Sequence, residues 1–223
     1  MRIAVKVKPS ITLVIFDLDG TLVNAYTAIE KSINYTLKRV GYRKVSPARV
    51  RRSVGWGDVN FIRKFVDDDD AIRALRIYRR HHRRSLIRYS RLIPDTRKVL
   101  DALMRRGVAL AIASNRPEKF TNILIDHLGI RRYFDVVRCG TNKDDIKPNP
   151  QLLLEVMRVL RAKKGQTLYV GDMVIDVQAA KNAGVKGIAV LGGSSSRAEL
   201  QKARPYKIIN KLAYIIPICV PLL

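Results

Sequence analysis

Four short apolar runs, each ending at polar or glycine residues, constrain the fold of this chain more than any other feature of its sequence. The first run covers residues 11–16 and is followed by Asp17-Leu18-Asp19-Gly20. The other three are 108–113 before Ser114-Asn115, 167–170 before Gly171-Asp172, and 187–191 before Gly192-Gly193. Continuous apolar runs of this length are typical of parallel strands that are buried on both faces. We therefore expect four buried strands that open into polar loops.

Helical patterns occupy the stretches around these runs. They cover residues 96–106, 118–128, 150–161 and 176–183. Strands that alternate with helices form parallel sheets, because each helix returns the chain to the edge where the next strand begins. The predicted fold class is therefore α/β, a Rossmann-like parallel sheet flanked by helices. A weak alternating run at residues 2–8 predicts an additional edge strand.

The stretch 23–91 breaks this alternation. It contains helical patterns and no clear strand, and the patterns cover residues 25–40, 46–53, 58–66 and 70–89. We interpret this stretch, called the helical insertion below, as an all-helical domain inserted after the first strand. The predicted domains are an α/β core over residues 1–22 and 92–223, and the helical insertion over 23–91.

The charge of the chain is unusually positive. Its 223 residues include 43 Lys and Arg against 19 Asp and Glu, a formal net charge of +24. Such an excess attracts nucleic acid, anionic membrane surfaces or phosphorylated small molecules. Much of it lies on one side of the helix predicted over 70–89, as Arg73, Arg76, Arg79, Arg80, Arg83, Arg84, Arg88 and the adjoining Arg91. A solvated outer face is our preferred interpretation, with substrate steering, nucleic-acid binding or a subunit contact left open.

The three histidines have no evident partner in the sequence. His81 and His82 lie in the arginine-rich helix, and His127 lies in the helix predicted over 118–128. We expect all three to be solvated rather than to bind a metal.

The cysteines and the apolar segments argue against a secreted or membrane protein. Cys139 and Cys219 are far apart and form no Cys-x-x-Cys motif, which disfavours a disulfide scaffold or a zinc site. The first residues carry charge too early for a signal peptide. The longest apolar stretch, 212–223, contains Pro217 and Pro221 and is shorter than the roughly 20 residues of a membrane span. We expect a cytoplasmic protein with no membrane partner.

Polar side chains cluster where the predicted strands end. Asp17 and Asp19 project to the same side of an extended segment, because they are two residues apart. Open α/β sheets bind ligands beyond the carboxyl ends of their strands, where Ser114 and Asp172 would also lie. Several carboxylates together with a substrate phosphate suit Mg²⁺. Lys147, which precedes a predicted helix, adds a positive charge that a transferring phosphoryl group requires.

Four ordered motifs resemble those of the haloacid dehalogenase-like hydrolase superfamily. Asp-Leu-Asp-Gly-Thr-Leu at 17–22 resembles the first, and Ser114-Asn115 the second. Lys147-Pro148 resembles the third, and Gly171-Asp172-Met-Val-Ile-Asp176 the fourth. The resemblance spans residues 11–191 in the expected order. It implies a hydrolase with an inserted helical cap.

The resemblance also implies a role for each motif residue. Asp17 would be the nucleophile that forms an aspartyl-phosphate, and Asp19 the acid and base. Ser114 and Lys147 would grip the phosphoryl oxygens. Mg²⁺ would be held by the Asp17 carboxylate, the Asp19 main-chain carbonyl, Asp172 and, directly or through water, Asp176. Family dehalogenases lack a carboxylate at the position of Asp19, so a phosphatase is the expected activity.

The remaining candidate residues would contact substrate. Gly-Trp-Gly in the helical insertion resembles the cap loop of phosphoglycolate phosphatases, although Asn24 stands where many relatives have Asp. Trp56 either packs the cap against the core or touches the substrate. The candidate substrate-binding residues are Gly20, Thr21, Asn115, Gly55, Trp56 and Gly57.

The leading hypothesis is a Mg²⁺-dependent phosphatase acting on a small phosphomonoester, with phosphoglycolate as the specific candidate. Pyrophosphatase, nucleotidase and polynucleotide-end phosphatase activities are alternatives that keep the same site, and a sugar phosphomutase is another. A nucleic-acid-binding protein with a vestigial site is the alternative that is not an enzyme. We expect a small phosphorylated substrate, a monomer or homodimer, and nucleic acid as a possible but less favoured partner.

Overall fold

A six-stranded parallel sheet forms the centre of the molecule. The computed structural model describes residues 10–140 and 145–219, so the edge strand predicted at 2–8 lies outside the described residues. The strands are β1 Leu13–Phe16, β2 Val23–Asn24, β3 Arg91–Leu92, β4 Ala109–Ser114, β5 Val136–Cys139, β6 Thr167–Gly171, β7 Lys186–Val190 and β8 Lys207–Ile209. The sheet has the order β5-β4-β1-β6-β7-β8 and every neighbouring pair is parallel. This confirms the predicted α/β class.

Helices cover both faces of the sheet. They are α5 Thr96–Met104, α6 Glu118–His127, α7 Gln151–Val159, α8 Val174–Ala183, α9 Arg197–Ala203 and α10 Ile216–Cys219. Successive side chains of a strand point to opposite faces. Val14 and Phe16 of β1 therefore pack in the cluster that includes residues of α5 and α6, whereas Leu13 and Ile15 pack with residues of α7 and α8. All four side chains of β1 are fully buried, which explains its uninterrupted apolar sequence.

Two edge strands, β5 and β8, were not predicted from the sequence. They read Val-Val-Arg-Cys and Lys-Ile-Ile, and both are short and partly exposed. An edge strand pairs on one side only and needs no long apolar run. The predicted helices all form, with small shifts at their ends where helix termini fray. For example, the helix predicted over 96–106 ends at Met104.

The helical insertion has a hydrophobic core of its own. Its helices are α1 Tyr26–Val40, α2 Pro47–Ser53, α3 Gly57–Arg63 and α4 Asp68–Tyr89. Buried side chains from these helices, among them Ile33, Phe61 and Tyr78, form one cluster. The arginines of the predicted basic face of α4 are exposed.

The two ends of the helical insertion pair with each other as a short two-stranded ribbon. The expectation of no strand between residues 23 and 91 is corrected here, because β2 pairs antiparallel with β3. Each strand has two residues, too few to show a period in the sequence. The division into two domains stays a prediction.

The apolar C-terminal segment completes the core as far as it is described. Leu212, Ile215 and Cys219 are buried and belong to the same cluster as residues of α5. Both cysteines are free thiols. Within the two described stretches, no helix has the length and apolar character needed to cross a membrane.

Replacing Ile33 with Ala tests the core of the helical insertion. Ile33 is fully buried, so Ile33→Ala should lower the free energy of unfolding by about 2–5 kcal/mol through lost burial and a residual cavity. Lys31→Ala on the exposed side of the same helix is the matched control and should change stability by no more than about 0.5 kcal/mol. Urea unfolding measures both. Equal effects would contradict the assigned packing.

Candidate active site

Two adjacent strands and one helix bring the acidic residues to one edge of the sheet. Asp17 follows β1 and Asp172 follows β6, while Asp176 lies in the first turn of α8. One carboxylate oxygen from each lies within 4.8 Å of the others, and all three side chains are buried. The structure thus brings together three of the predicted site residues.

Lys147 neutralises part of this acidic cluster. Its ammonium donates to Asp17 Oδ1 at 2.6 Å, to Asp176 Oδ1 at 2.8 Å and to the Tyr169 hydroxyl at 2.8 Å. An ammonium has three N–H donors, so all of them are used. Burial alone would lower the pKa of Lys147, but the neighbouring carboxylates outweigh it and raise that pKa well above its usual value.

The remaining negative charge fits a hard divalent cation. Burial, reinforced by Asp176 and Asp19 and opposed by Lys147, raises the pKa of Asp17 from 3.8 to about 7. Burial, with Asp176 and Asp17, also raises the pKa of Asp172. Three carboxylates against one ammonium leave an excess of negative charge, and oxygen-only ligands are those that Mg²⁺ prefers. The cluster therefore has the chemistry of a metal site.

Several hydrogen-bond donors hold Asp172, and the backbone at Gly20 comes close to it. It accepts hydrogen bonds from the Ser194 main-chain N–H at 2.7 Å, the Thr21 hydroxyl at 3.3 Å and the Tyr26 hydroxyl at 3.3 Å. A Cβ on Gly20, whose φ is +85°, would lie 2.5 Å from Asp172 Oδ2. Glycine at position 20 of the first motif therefore makes room for the carboxylate.

Asn115 connects the Lys147 loop with the helical insertion. Its Nδ2 donates to the Gly55 carbonyl at 2.7 Å and to the Lys147 carbonyl at 3.1 Å. Its Oδ1 accepts from the Lys147 main-chain N–H at 2.7 Å. The neighbouring Ser114 hydroxyl is buried and accepts from the Arg116 main-chain N–H at 3.3 Å. Both residues of the second motif therefore lie at the end of β4, next to the acidic cluster.

Asp19 lies beside the acidic cluster rather than within it. Its carboxylate pairs with Arg116 through two hydrogen bonds, from Nε at 2.7 Å and from Nη2 at 2.8 Å. Arg116 is buried although it carries a charge, and a buried charge needs a partner. Arg116 was not among the predicted site residues. The sequence did contain a signal for Arg116, because a cationic residue that directly follows Ser114-Asn115 lies at the edge of the sheet where the motifs meet.

His82 corrects a prediction, because it is not solvated. It is 1% exposed and is flanked by the rings of Tyr78 and Phe120. Its Nε2 lies 3.0 Å from Arg116 Nη1, and its Nδ1 lies 3.1 Å from the Ser32 hydroxyl. Burial and the adjacent guanidinium lower the pKa of His82 well below 6.5. The physical reason for the error is that His82 lies on the apolar side of α4, which turns inward.

The other two histidines differ from His82. His127 is exposed, as predicted. His81 is half-buried, contrary to expectation, and its ring stacks on that of Tyr35 with centroids 4.2 Å apart. The pKa of His81 is lowered, mainly by burial and also by the positive charge of Arg84.

A cavity lies between the helical insertion and the edge of the sheet. Its volume is about 80 Å³, and its lining includes Asp17, Asp19, Arg116 and Lys147. Gly55 and Gly57 line it as well, whereas Trp56 is 38% exposed and lines a neighbouring cavity.

Two arginines of α2 join the helical insertion to the core. Arg51 donates to the Gly192 carbonyl at 3.3 Å, and Arg52 pairs with Glu199 at 2.9 Å. Neither lines the cavity that contains Asp17.

The geometry agrees with comparisons to known proteins. The family model described as haloacid dehalogenase-like hydrolase matches residues 14–190. The chain belongs to this family. The resemblance noted in the sequence is therefore confirmed, and the site described above lies at the four family motifs.

Relatives of known name cover nearly the whole chain. A phosphoglycolate phosphatase of Pseudomonas fluorescens is 33% identical over 216 residues, which cover 93% of this chain and 79% of the relative. A phosphoglycolate phosphatase of Aquifex aeolicus is 30% identical, with 89% and 95% covered. The crystal structure of a predicted phosphoglycolate phosphatase from Haemophilus somnus superimposes with a TM-score of 0.87 at 27% identity, with 94% and 98% covered.

The raised pKa of Asp17 predicts a pH dependence of stability for the metal-free protein. Between pH 3.8 and about 7 the folded Asp17 holds a proton that the unfolded residue has lost. The free energy of unfolding should therefore fall as pH rises through this interval. Thermal unfolding in EDTA should show a flatter dependence for Asp17→Asn than for the wild type, while Asp69→Asn, an exposed control, should follow the wild type. Identical slopes for all three would refute this prediction.

Proposed function

We propose that this chain is a Mg²⁺-dependent phosphatase that hydrolyses a small phosphomonoester through an aspartyl-phosphate on Asp17. The observation that carries the proposal is the position of Asp17. It directly follows β1, hydrogen-bonds to Lys147 at 2.6 Å and shares a buried cluster with two further carboxylates. Family membership and the names of the relatives support the same activity.

The acidic cluster is the proposed metal site. Asp17, Asp172 and Asp176, with the main-chain carbonyl of Asp19, would hold Mg²⁺. The cation would neutralise charge on the phosphoryl oxygens. Lys147 would share that task, since its ammonium already bridges Asp17 and Asp176.

In the first proposed step, an oxygen of Asp17 attacks phosphorus as the bond between phosphorus and the leaving oxygen breaks. Asp19 would enter this step protonated and give its proton to that oxygen, so the leaving group departs as an alcohol. The Ser114 hydroxyl and Lys147 would hold the phosphoryl oxygens. Arg116 fixes the Asp19 carboxylate in two places and so limits its rotation.

In the second step, water hydrolyses the aspartyl-phosphate. The Asp19 carboxylate takes a proton from the water as its oxygen attacks phosphorus. The bond between phosphorus and Asp17 breaks, which releases inorganic phosphate and regenerates the carboxylate. Asp19 has then regained the proton that it gave away, so the cycle balances.

The substrate is proposed to be small, with phosphoglycolate as the specific candidate. Two observations support this choice. The cavity above Asp17 has a volume of only about 80 Å³, and relatives across nearly the full chain are named phosphoglycolate phosphatases.

Asp17→Asn tests the nucleophile. The amide cannot form the phosphoenzyme, so steady-state turnover of phosphoglycolate should fall by at least about a thousandfold. Phosphate release with Mg²⁺ measures this loss, and EDTA should reduce wild-type turnover to a similar level. Asp126→Asn is the control and should keep full activity. Unchanged turnover in purified Asp17→Asn would remove Asp17 from the mechanism.

Asp19→Asn tests the acid. Its first turnover should slow by roughly a hundredfold or more with an alkyl phosphate, because an alkoxide needs a proton to leave. The loss should be much smaller with p-nitrophenyl phosphate, since nitrophenolate leaves without one. Rapid-quench measurement of the released alcohol or phenol gives both rates. Equal losses with the two substrates would indicate a structural defect instead of a lost proton donor.

A further inference from the structure

Two cationic side chains face the cavity above Asp17 within the described part of the chain, Lys147 and Arg116. Lys147 already binds Asp17, Asp176 and Tyr169, and in the proposed reaction its ammonium serves the phosphoryl group. Any acidic group on the leaving part of a substrate must therefore find another partner.

Arg116 has hydrogen-bond donors that bind none of the described residues. A guanidinium carries five N–H groups. Two of them bind Asp19 and one binds His82, which leaves one N–H on Nη1 and one on Nη2 without a partner among the described residues. The residue is only 8% exposed, so these donors are not freely hydrated. Paired N–H groups on a planar guanidinium match the two oxygens of a carboxylate.

His82 holds Arg116 as a hydrogen-bond acceptor. The Ser32 hydroxyl gives its hydrogen to the Ala28 carbonyl at 2.7 Å, so it accepts from His82 Nδ1. This network assigns the proton of the neutral ring to Nδ1 and leaves the Nε2 lone pair for Arg116 Nη1 at 3.0 Å. The flanking rings of Tyr78 and Phe120 restrict the imidazole. Arg116 is therefore fixed from two sides, by Asp19 and by His82.

The surroundings of Arg116 favour a short substrate. Val54, Phe61, Tyr78, Phe120 and Ile175 line the same cavity and offer mostly apolar surface. Such a wall gives few partners to the many hydroxyls of a sugar phosphate. One carboxylate on a short carbon chain requires only the guanidinium.

We propose that the two remaining N–H groups of Arg116 bind a carboxylate on the leaving part of the substrate. The substrate class is then a short phosphorylated hydroxy acid, and Arg116 is the residue that selects it. This inference deepens the proposed phosphatase function and rests on it. His82 is a positioning residue, since it acts through Arg116.

Binding of non-hydrolysable analogues tests the carboxylate site without turnover. 3-Phosphonopropionate is isosteric with phosphoglycolate, and propylphosphonate replaces its carboxylate with a methyl group. In calorimetry with Mg²⁺, the wild type should bind the carboxylated analogue roughly tenfold tighter or more, the usual gain from a hydrogen bond to a charged group. Arg116→Lys keeps a positive charge beside Asp19 but loses the fork, and it should lose most of that ratio. Arg116→Met should abolish it.

Adjacent histidines provide a matched pair of controls. His82→Phe keeps an aromatic ring between Tyr78 and Phe120 but removes the acceptor for Arg116, so it should reduce the affinity ratio. His81→Phe alters the preceding residue of α4. His81 also contacts Ser32 but has no hydrogen bond to Arg116, so this variant should leave the ratio unchanged. Because each variant is judged by the ratio of two ligands, a general loss of affinity does not mimic the expected result.

Equal wild-type affinity for the two analogues, or no detectable binding of 3-phosphonopropionate, would overturn the proposal. So would an unchanged ratio in Arg116→Met. Failure of the phosphatase function gives a different pattern. In that case the analogues would still be discriminated, but no phosphomonoester would be hydrolysed.

Discussion

The ion pairs of one ammonium with two carboxylates are the interaction on which this site depends. Lys147 Nζ contacts both Asp17 and Asp176, while Asp172 is held by N–H and O–H donors instead of an ammonium. Burying three carboxylates is unfavourable unless positive charge and donors surround them. The fold supplies these groups through Ser194, the Tyr169 hydroxyl and glycines that let the backbone come close. The excess negative charge that remains is the feature that makes a divalent cation fit.

Much of this arrangement could be predicted because a parallel sheet places all its carboxyl ends at one edge. Residues that directly follow β1, β4 and β6 must meet there, whatever the loops between them do. This is why Asp17, Ser114 and Asp172 could be grouped from the sequence. Lys147 could be placed only through the order of the family motifs, since it does not directly follow a strand.

Residues that the sequence analysis missed have partners on distant elements. Arg116 pairs with Asp19, which is 97 positions away, and His82 reaches Arg116 from another helix. Nothing in the sequence around His82 shows which distant residue it contacts. The helical period did place His82 on the inward side of α4, but the absence of an evident partner outweighed that signal. The strands β5 and β8 were missed for a related reason, because sheet edges require little local apolar sequence.

The position of His82 explains how an arginine-rich helix can lie against a buried guanidinium. The outer side of α4 carries exposed arginines that water solvates. On its inner side, a lysine or arginine at position 82 would set a second cation against Arg116 in a space with little water, and like charges there repel strongly. A neutral imidazole avoids that repulsion and offers a lone pair instead. The helix can therefore be strongly basic on its outer side while its inner side supports the charge of Arg116 beside Asp19.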